Sequence, residues 1–424
     1  MAGSAVGGPS SRRFEINGRG VDPRARFVFL GVLALWCLFP VLLQGNLAQD
    51  ALPYVVAGQL ATDAPGQIYA TDASDLYDLP PVFAERSCDL APSGTDCASF
   101  AVAFVSSPPS LVMAWLMGLL GAPVGVFLAR LLAALALAVG MVLVWNRLTR
   151  PVAAAAPYVA ASALLFTPFA IVPITLGQTS PYLFLSVCLG WEQARTPVRK
   201  VLTAGLFSLA CLLKVFPAIA GLVLLARRRW GLVGLVGAWA VLLAAIAALL
   251  GPLSWYGEFI TTSKLMAEFS LVNPYNGAVA AMAHTVSPSV TAGTAYGVLL
   301  SGVGAVIGGC WFWRLRAAPL DAQWAFGILA SLFFVPLVWW HYLWVGVGAV
   351  AMLSITSVER SDGRVPMLAG RPVFAVLPVL AAISIPISIP NGTGSAVPWA
   401  QFLFLVACLA LTVALAPPTA KRPG

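Results

Sequence analysis

Residues 24–54 read RARFVFLGVLALWCLFPVLLQGNLAQDALPY. The apolar run starting at Phe27 is preceded by Arg12, Arg13, Arg19, Arg24 and Arg26, and followed by Asp50. Such a run, basic on one side, predicts a membrane-spanning helix over 27–43 that leaves the cytoplasm. The rest of the chain repeats the pattern. Twenty of its 24 Lys and Arg residues fall where one membrane face would lie, and eight of its 16 acids sit in a single loop on the other. That loop runs over 44–106.

The composition agrees. A chain of 424 residues that is 60% apolar and 9% charged is no soluble globule. Its apolar stretches are continuous rather than alternating, which excludes a transmembrane barrel. The expected fold is an all-α polytopic membrane protein. Residues 1–26 are polar and basic with no convincing small-residue cleavage site, so a cleaved signal is not expected. The net charge of +8 is accounted for by cytoplasmic loops and anionic lipid headgroups, without nucleic acid.

Basic clusters at Arg147/Arg150, Arg195/Arg199/Lys200, Arg227–Arg229, Arg314/Arg316, Arg360/Arg364/Arg371 and Lys421/Arg422 are all assigned to the cytoplasmic side. Spans over 123–145, 152–172, 178–191, 231–250, 291–313, 321–336, 338–357, 372–389 and 397–416 satisfy them. Both termini then lie inside, with tails over 1–26 and 417–424 and a single transmembrane domain over 27–416. Residues 201–226 have basic groups at both ends. Lys214 and Pro217 sit between, so two short helices with Lys214 near their apex are expected. Residues 107–120 are too short for a span and predict a re-entrant or interfacial helix starting at Pro108-Pro109. The count is about 12 membrane helices, some half-spanning. Irregular backbone at membrane depth is tolerated only where it lines an enclosed or wet cavity, so both breaks point to a site. A second external piece covers 251–290.

Two of seven cysteines, Cys88 and Cys97, lie in the first external loop and are candidates for a disulfide. The others lie in apolar segments. With only His284 and His341, no zinc-binding spacing exists. A carboxylate-bound divalent cation is left open.

Asp50 is the leading chemical candidate. If a helix begins just after it, Pro53 is tolerated in the first turn, and Asp50 and Tyr54 lie one turn apart on one face. A carboxylate at the membrane surface can take a proton from an acceptor hydroxyl; the plainer alternative is a helix N-cap. Asp63 lies near the end of the same helix. Asp72, Asp75, Asp78, Glu85, Asp89 and Asp96 read as solvated loop surface. Lys214 is a lone cation in an apolar stretch, where charge is costly and usually functional; a lipid phosphate is a suitable partner. His341, in Trp339-Trp340-His341-Tyr342, ends a span among aromatic interface anchors. Gln178, in Leu-Gly-Gln178-Thr-Ser, opens a helix at the same external level and suits a sugar or phosphate. Trp255, Tyr275 and Asn276 in the second external piece suit an acceptor sugar, and Lys264 suits a donor phosphate.

An Asp after the first span, a long external loop, a Pro-Pro helix, a Gly-Gln turn, a Lys-x-x-Pro break and a late aromatic-His element follow in that order. Over about 27–357 this resembles the actinobacterial polyprenyl-phosphate-sugar-dependent transferases that include phosphatidylinositol-mannoside mannosyltransferases and related arabinofuranosyltransferases, which have a GT-C membrane fold. Two features depart from that pattern. Ser106-Ser107 stand where an aromatic usually precedes the Pro-Pro, and the late motif has a single His. The resemblance implies a GT-C-like bundle in a bacterial plasma membrane, with its active site on the external face. It implies an inverting transfer of mannose or D-arabinofuranose from a polyprenyl-phosphate donor to a glycolipid or polysaccharide acceptor. Asp50 would be the base, with Lys214 and His341 near the donor phosphate, joined by Gln178, Lys264 and Tyr54. No cofactor is implied. A transporter or flippase of a lipid-linked sugar is the competing expectation.

Overall fold

The computed structural model describes residues 23–42, 50–69, 78–91, 102–148, 168–191, 196–273, 276–360 and 396–415. Among these, every regular element is helical. The expected span over 372–389, most of 152–172, and both tails beyond 22 and 415 lie outside them.

Helix α1 covers Pro23–Leu42. The acid-rich loop after it contributes α2, Leu52–Asp63, and α3, Pro81–Asp89. Pro53 is in the first turn of α2, where its missing N–H costs no hydrogen bond. A short 3₁₀ turn at Pro108–Ser110 leads into α4, Leu111–Leu148. Helical geometry is lost at Gly121, with φ 75° and ψ 159°. That break divides α4 close to the boundary expected between the 107–120 element and the 123–145 span.

The Lys214 break is also present. Helix α7, Pro197–Leu213, stops at Lys214, whose backbone is extended. A 3₁₀ segment Phe216–Ala220 and α8, Gly221–Ala226, follow. Preceding them are α5, Pro168–Thr175, and α6, Ser180–Leu189. At about 1.5 Å per residue α6 is only half a bilayer long, shorter than the span expected over 178–191. Helix α9 is Trp230–Leu250. The segment over 251–290 folds as α10, Ser254–Leu271, and α11, Val279–Val286. Helix α12 runs over Ala292–Leu315, with two π-helical stretches. Helix α13 is Leu320–Ser331, α14 is Leu343–Arg360 and α15 is Ala396–Leu415.

Three stretches among the described residues are long and apolar enough to cross a membrane: Pro108–Leu143, Trp230–Leu250 and Ala292–Leu315. Helices α9 and α12 leave large apolar side chains bare, among them Leu249 at 87% and Trp313 at 87% exposure. In water that surface would be an aggregation liability; in a bilayer it faces hydrocarbon.

Two cores set the position of the site. The larger joins α1, α4, α6, α7, α13, α14 and α15 around Phe184, Trp344, Trp324 and Phe207. The smaller joins α2, Phe83, Phe104, the start of α4, Leu213 and Trp255. Its tightest seam is the crossing of α2 over α4. A Cβ on Gly58 would run into the Ala114 carbonyl, and one on Gly118 would lie 2.7 Å from the Gln59 nitrogen. Only glycine lets these backbones come so close, and Val55, Val56 and Leu60 beside the crossing are then buried.

Candidate active site

The site forms where the two cores meet. Asp50 is the residue before the α2 N-cap, which is Ala51 and makes no side-chain capping bond. The plainer reading of Asp50 as an N-cap is therefore corrected: its carboxylate points elsewhere. It accepts a hydrogen bond from Gln178 Nε2, while its backbone N–H donates to the Leu176 carbonyl at 3.2 Å. The partner segment is a tight turn closing α5. Gly177 adopts φ 71°, a region open to glycine at little cost. Its N–H bonds Ile174 and that of Gln178 bonds Pro173.

Asp50 is half-buried. Burial raises its carboxyl from the ordinary 3.8 to about 6, against the lowering pull of the Lys214 ammonium and the Gln178 amide. Lys214, 164 positions away in the sequence, thus lies within electrostatic reach of Asp50. The extended backbone at Lys214 takes its side chain off the α7 helix face. It hydrogen-bonds the Tyr342 side chain and lies within electrostatic reach of Tyr54 and Asp50. Tyr342 packs edge-on against Phe216 at 5.6 Å and against His341 at 4.8 Å between ring centroids. His341 is buried and stacks on Trp339 at 6.4 Å.

Ser106-Ser107, the departure from the expected aromatic, ties the two sides together. The Tyr54 hydroxyl and Ser106 Oγ are 2.6 Å apart, and the Tyr69 hydroxyl donates to the Ser106 carbonyl at 2.9 Å. Ser107 Oγ donates to the Leu212 carbonyl, two residues before Lys214. Phe104 contributes the aromatic surface instead, edge-on to Tyr54 at 5.3 Å. Burial and the nearby Asp50 raise the Tyr54 phenol above its ordinary 10, against Lys214 and Ser106, so it remains a neutral hydrogen-bonding group.

The structure thus gathers Asp50, Tyr54, Gln178, Lys214 and His341. It does not gather Trp255, Asn276 or Lys264 with them. Trp255 is buried, and its indole N–H donates to the Pro65 carbonyl at 2.8 Å. Asn276 is buried too. Its amide donates to the Ser270 and Pro336 carbonyls at 2.7 Å each and accepts from the Ala278 and Val338 N–H groups at 2.9 and 2.8 Å. All four of its hydrogen bonds are committed to the chain's own backbone, as an acceptor contact could not allow. Lys264 is exposed on α10. Tyr275 and Cys97 lie outside the described residues; Cys88 is disulfide-bonded. Asp63 is an exposed residue 3.6 Å from Arg86, a surface pair of small consequence. No three His, Cys, Asp or Glu side chains converge among the described residues.

Sequence reasoning passed over Tyr342, although it adjoins His341 in the quoted motif. It also passed over Arg130, a buried cation within the apolar stretch of α4 whose Nε donates to the Thr175 carbonyl at 2.8 Å. That bond steadies the end of α5 from which the Gln178 turn springs.

A chain comparison against family models finds one match, described as glycosyltransferase family 87, over residues 104–339. No curated protein and no solved structure matches.

Proposed function

The chain belongs to glycosyltransferase family 87, and from that premise we propose that it transfers mannose or D-arabinofuranose from a polyprenyl-phosphate donor to a glycolipid or polysaccharide hydroxyl. Transfer takes place at the external membrane face of a bacterial plasma membrane. The observation that carries this reading is the grouping of one half-buried carboxylate, Asp50, with the Lys214 cation and the His341-Tyr342 pair. A carboxylate for the acceptor's proton and a cation for the leaving phosphate are what a displacement at a phosphorylated carbon needs.

The reaction is a single displacement. Asp50 takes the proton of the acceptor hydroxyl as its oxygen attacks the anomeric carbon. The bond from that carbon to the phosphate oxygen breaks, and the electron pair leaves with the polyprenyl phosphate. Lys214 balances the charge of that leaving group, and a partly desolvated setting makes the interaction strong. Attack opposite the leaving group inverts the anomeric configuration. Asp50 then loses its proton to water. With its pKa near 6, the carboxylate is a stronger base than an exposed Asp and is still mostly ionised at neutral pH. Gln178 fixes its orientation.

Membership of a glycosyltransferase family displaces the transporter or flippase reading, which the spans alone also allow. The test is transfer from synthetic polyprenyl-phosphate mannose and polyprenyl-phosphate arabinofuranose to a membrane glycolipid extract, with wild type and Asp50→Asn side by side. Turnover of one donor, reduced at least about a hundredfold in the variant as for loss of a general base, is the expected result. Turnover that survives the substitution removes Asp50 as the base. Consumption of neither donor overturns the donor assignment.

A further inference from the structure

Two hydroxyls beside Gln178 have no hydrogen-bond partner among the described residues. Thr179 and Ser180 are 5% and 0% exposed, and neither side-chain oxygen has a hydrogen-bond partner. Thr at a helix start ordinarily caps it, accepting from an N–H one turn on. Thr179 is at the N-cap of α6, but its backbone is already helical, at φ −86° and ψ −11°, and it makes no such bond. Buried serines within helices can donate to the carbonyl four residues back, as Ser208 does to Ala204 and Ser270 to Met266, although Ser186 further along α6 makes no such bond. Ser180 begins its helix and has no preceding turn to donate to. Buried hydroxyls are almost always paired, so two together at one helix end call for a ligand.

The helix register gives their direction. One turn along α6 from Ser180, Phe184 packs edge-on against Trp344 at 5.2 Å. Phe184 and Val187 both line the space beside Gly348. Helices α6 and α14 therefore run the same way here. Ser180, on the Phe184 face one turn earlier, lies level with the turn before Trp344, which holds His341. Lys214 acts electrostatically on both His341 and Asp50. The open end of α6 is thus directed at the gathered residues.

Apart from the Asp50 carboxylate, which Gln178 already engages, this corner offers donors: two hydroxyls, the positive end of a helix dipole and a lysine. Pro181 follows and supplies no N–H, so the hydroxyls replace the backbone donor usual at such an anion site. A phosphoryl group, whose oxygens only accept, is matched by these donors.

We propose that Thr179 and Ser180 form the seat for the phosphate of a prenyl-phosphate leaving group. The assignment rests on the donor class proposed above, and the test separates the two. The full chain is purified in lipid nanodiscs, and binding of farnesyl phosphate, farnesol and inorganic phosphate is followed by calorimetry. Thr179→Val and Ser180→Ala should each weaken farnesyl phosphate about tenfold, the worth of a hydrogen bond to a charged group. Farnesol binding should not change, and Thr179→Ser should bind as wild type does. Equal weakening of farnesol, failure of Thr179→Ser to restore binding, or an unchanged affinity for farnesyl phosphate overturns the seat. Inorganic phosphate binding as tightly as farnesyl phosphate makes this a free-anion site and overturns the lipid assignment. If neither sugar donor turns over while the binding differences hold, the seat stands and the donor reading fails.

Discussion

At the residue scale, Asp50 couples function to stability with opposite signs. Its folded pKa, about 6, lies above the ordinary 3.8. The folded state therefore binds the proton more tightly than the unfolded chain does. The stability this gives is complete below about pH 4 and is lost as pH rises through about 6. At neutral pH the ionised Asp50 costs the fold up to about 3 kcal/mol, at about 1.4 kcal/mol per pKa unit. We expect Asp50→Asn to be inactive yet to melt higher than wild type at pH 7.5, with the difference vanishing near pH 4; calorimetry across that range checks it. The same pKa sets the rate profile. In wild type, kcat/KM should fall tenfold per pH unit below about pH 6, because only the carboxylate accepts the acceptor's proton. A profile flat down to pH 5 would mean another group is the base. Asn276 makes the contrasting case. Asn276→Ala leaves four backbone groups without their bonds and should destabilise by about 2–4 kcal/mol, at about 1 kcal/mol or more for each bond lost. Acceptor KM in the folded fraction should stay unchanged; a raised KM at unchanged melting temperature would instead make it a substrate contact.

At the element scale, the seating of α2 on α4 decides whether Asp50 reaches the site at all. The crossing depends on Gly58 and Gly118, where even a methyl meets backbone. Backbone cannot yield as a flexible side chain does, so Gly58→Ala should cost about 1–3 kcal/mol. It should also lower activity by displacing Asp50 from Gln178 and Lys214. Asp63→Ala, at the exposed end of the same helix, removes only a surface pair and should alter stability by less than about 0.5 kcal/mol. Thermal melting of the two variants in one detergent gives the comparison. The Ser106-Ser107 pair works at this scale as well. It joins α2 through Tyr54 and the end of α7 through Leu212, so the chain segment before the Pro-Pro turn ties the helix after Asp50 to the one before Lys214.

At the scale of the whole molecule, the charge asymmetry makes a topological claim. A cysteine introduced as Asp63→Cys should react in intact cells with a maleimide that does not cross membranes. One introduced as Arg228→Cys should react only after permeabilisation. The reverse pattern would put the gathered site on the cytoplasmic face. The bare apolar faces of α9 and α12 belong to the same picture, since they are stable only against lipid.

The sequence by itself determined the class and the order of the elements. Continuous apolar runs require helices in a bilayer. Lys214 within such a run, followed by Pro217, announced the helix break that is found there, and the Pro-Pro at 108–109 announced the helix start. Pro53 in the first turn located α2. These are local matters of hydropathy and backbone geometry, and they are written within a few residues of where they act. What only the tertiary structure decided was which polar residues share a space. Asp50, Gln178, Lys214 and His341 are far apart in the chain, and no spacing rule brings them together; the Gly58–Gly118 crossing and the Gly177 turn do. Trp255 and Asn276 looked like sugar contacts because loop aromatics and amides often are. Their partners proved to be the carbonyls of Pro65, Ser270 and Pro336 and the N–H groups of Ala278 and Val338, which carry no side-chain signal for a sequence to show. Thr179 and Ser180 ran the other way. They read as ordinary helix-start residues, and only the absence of a capping partner in the folded chain set them apart.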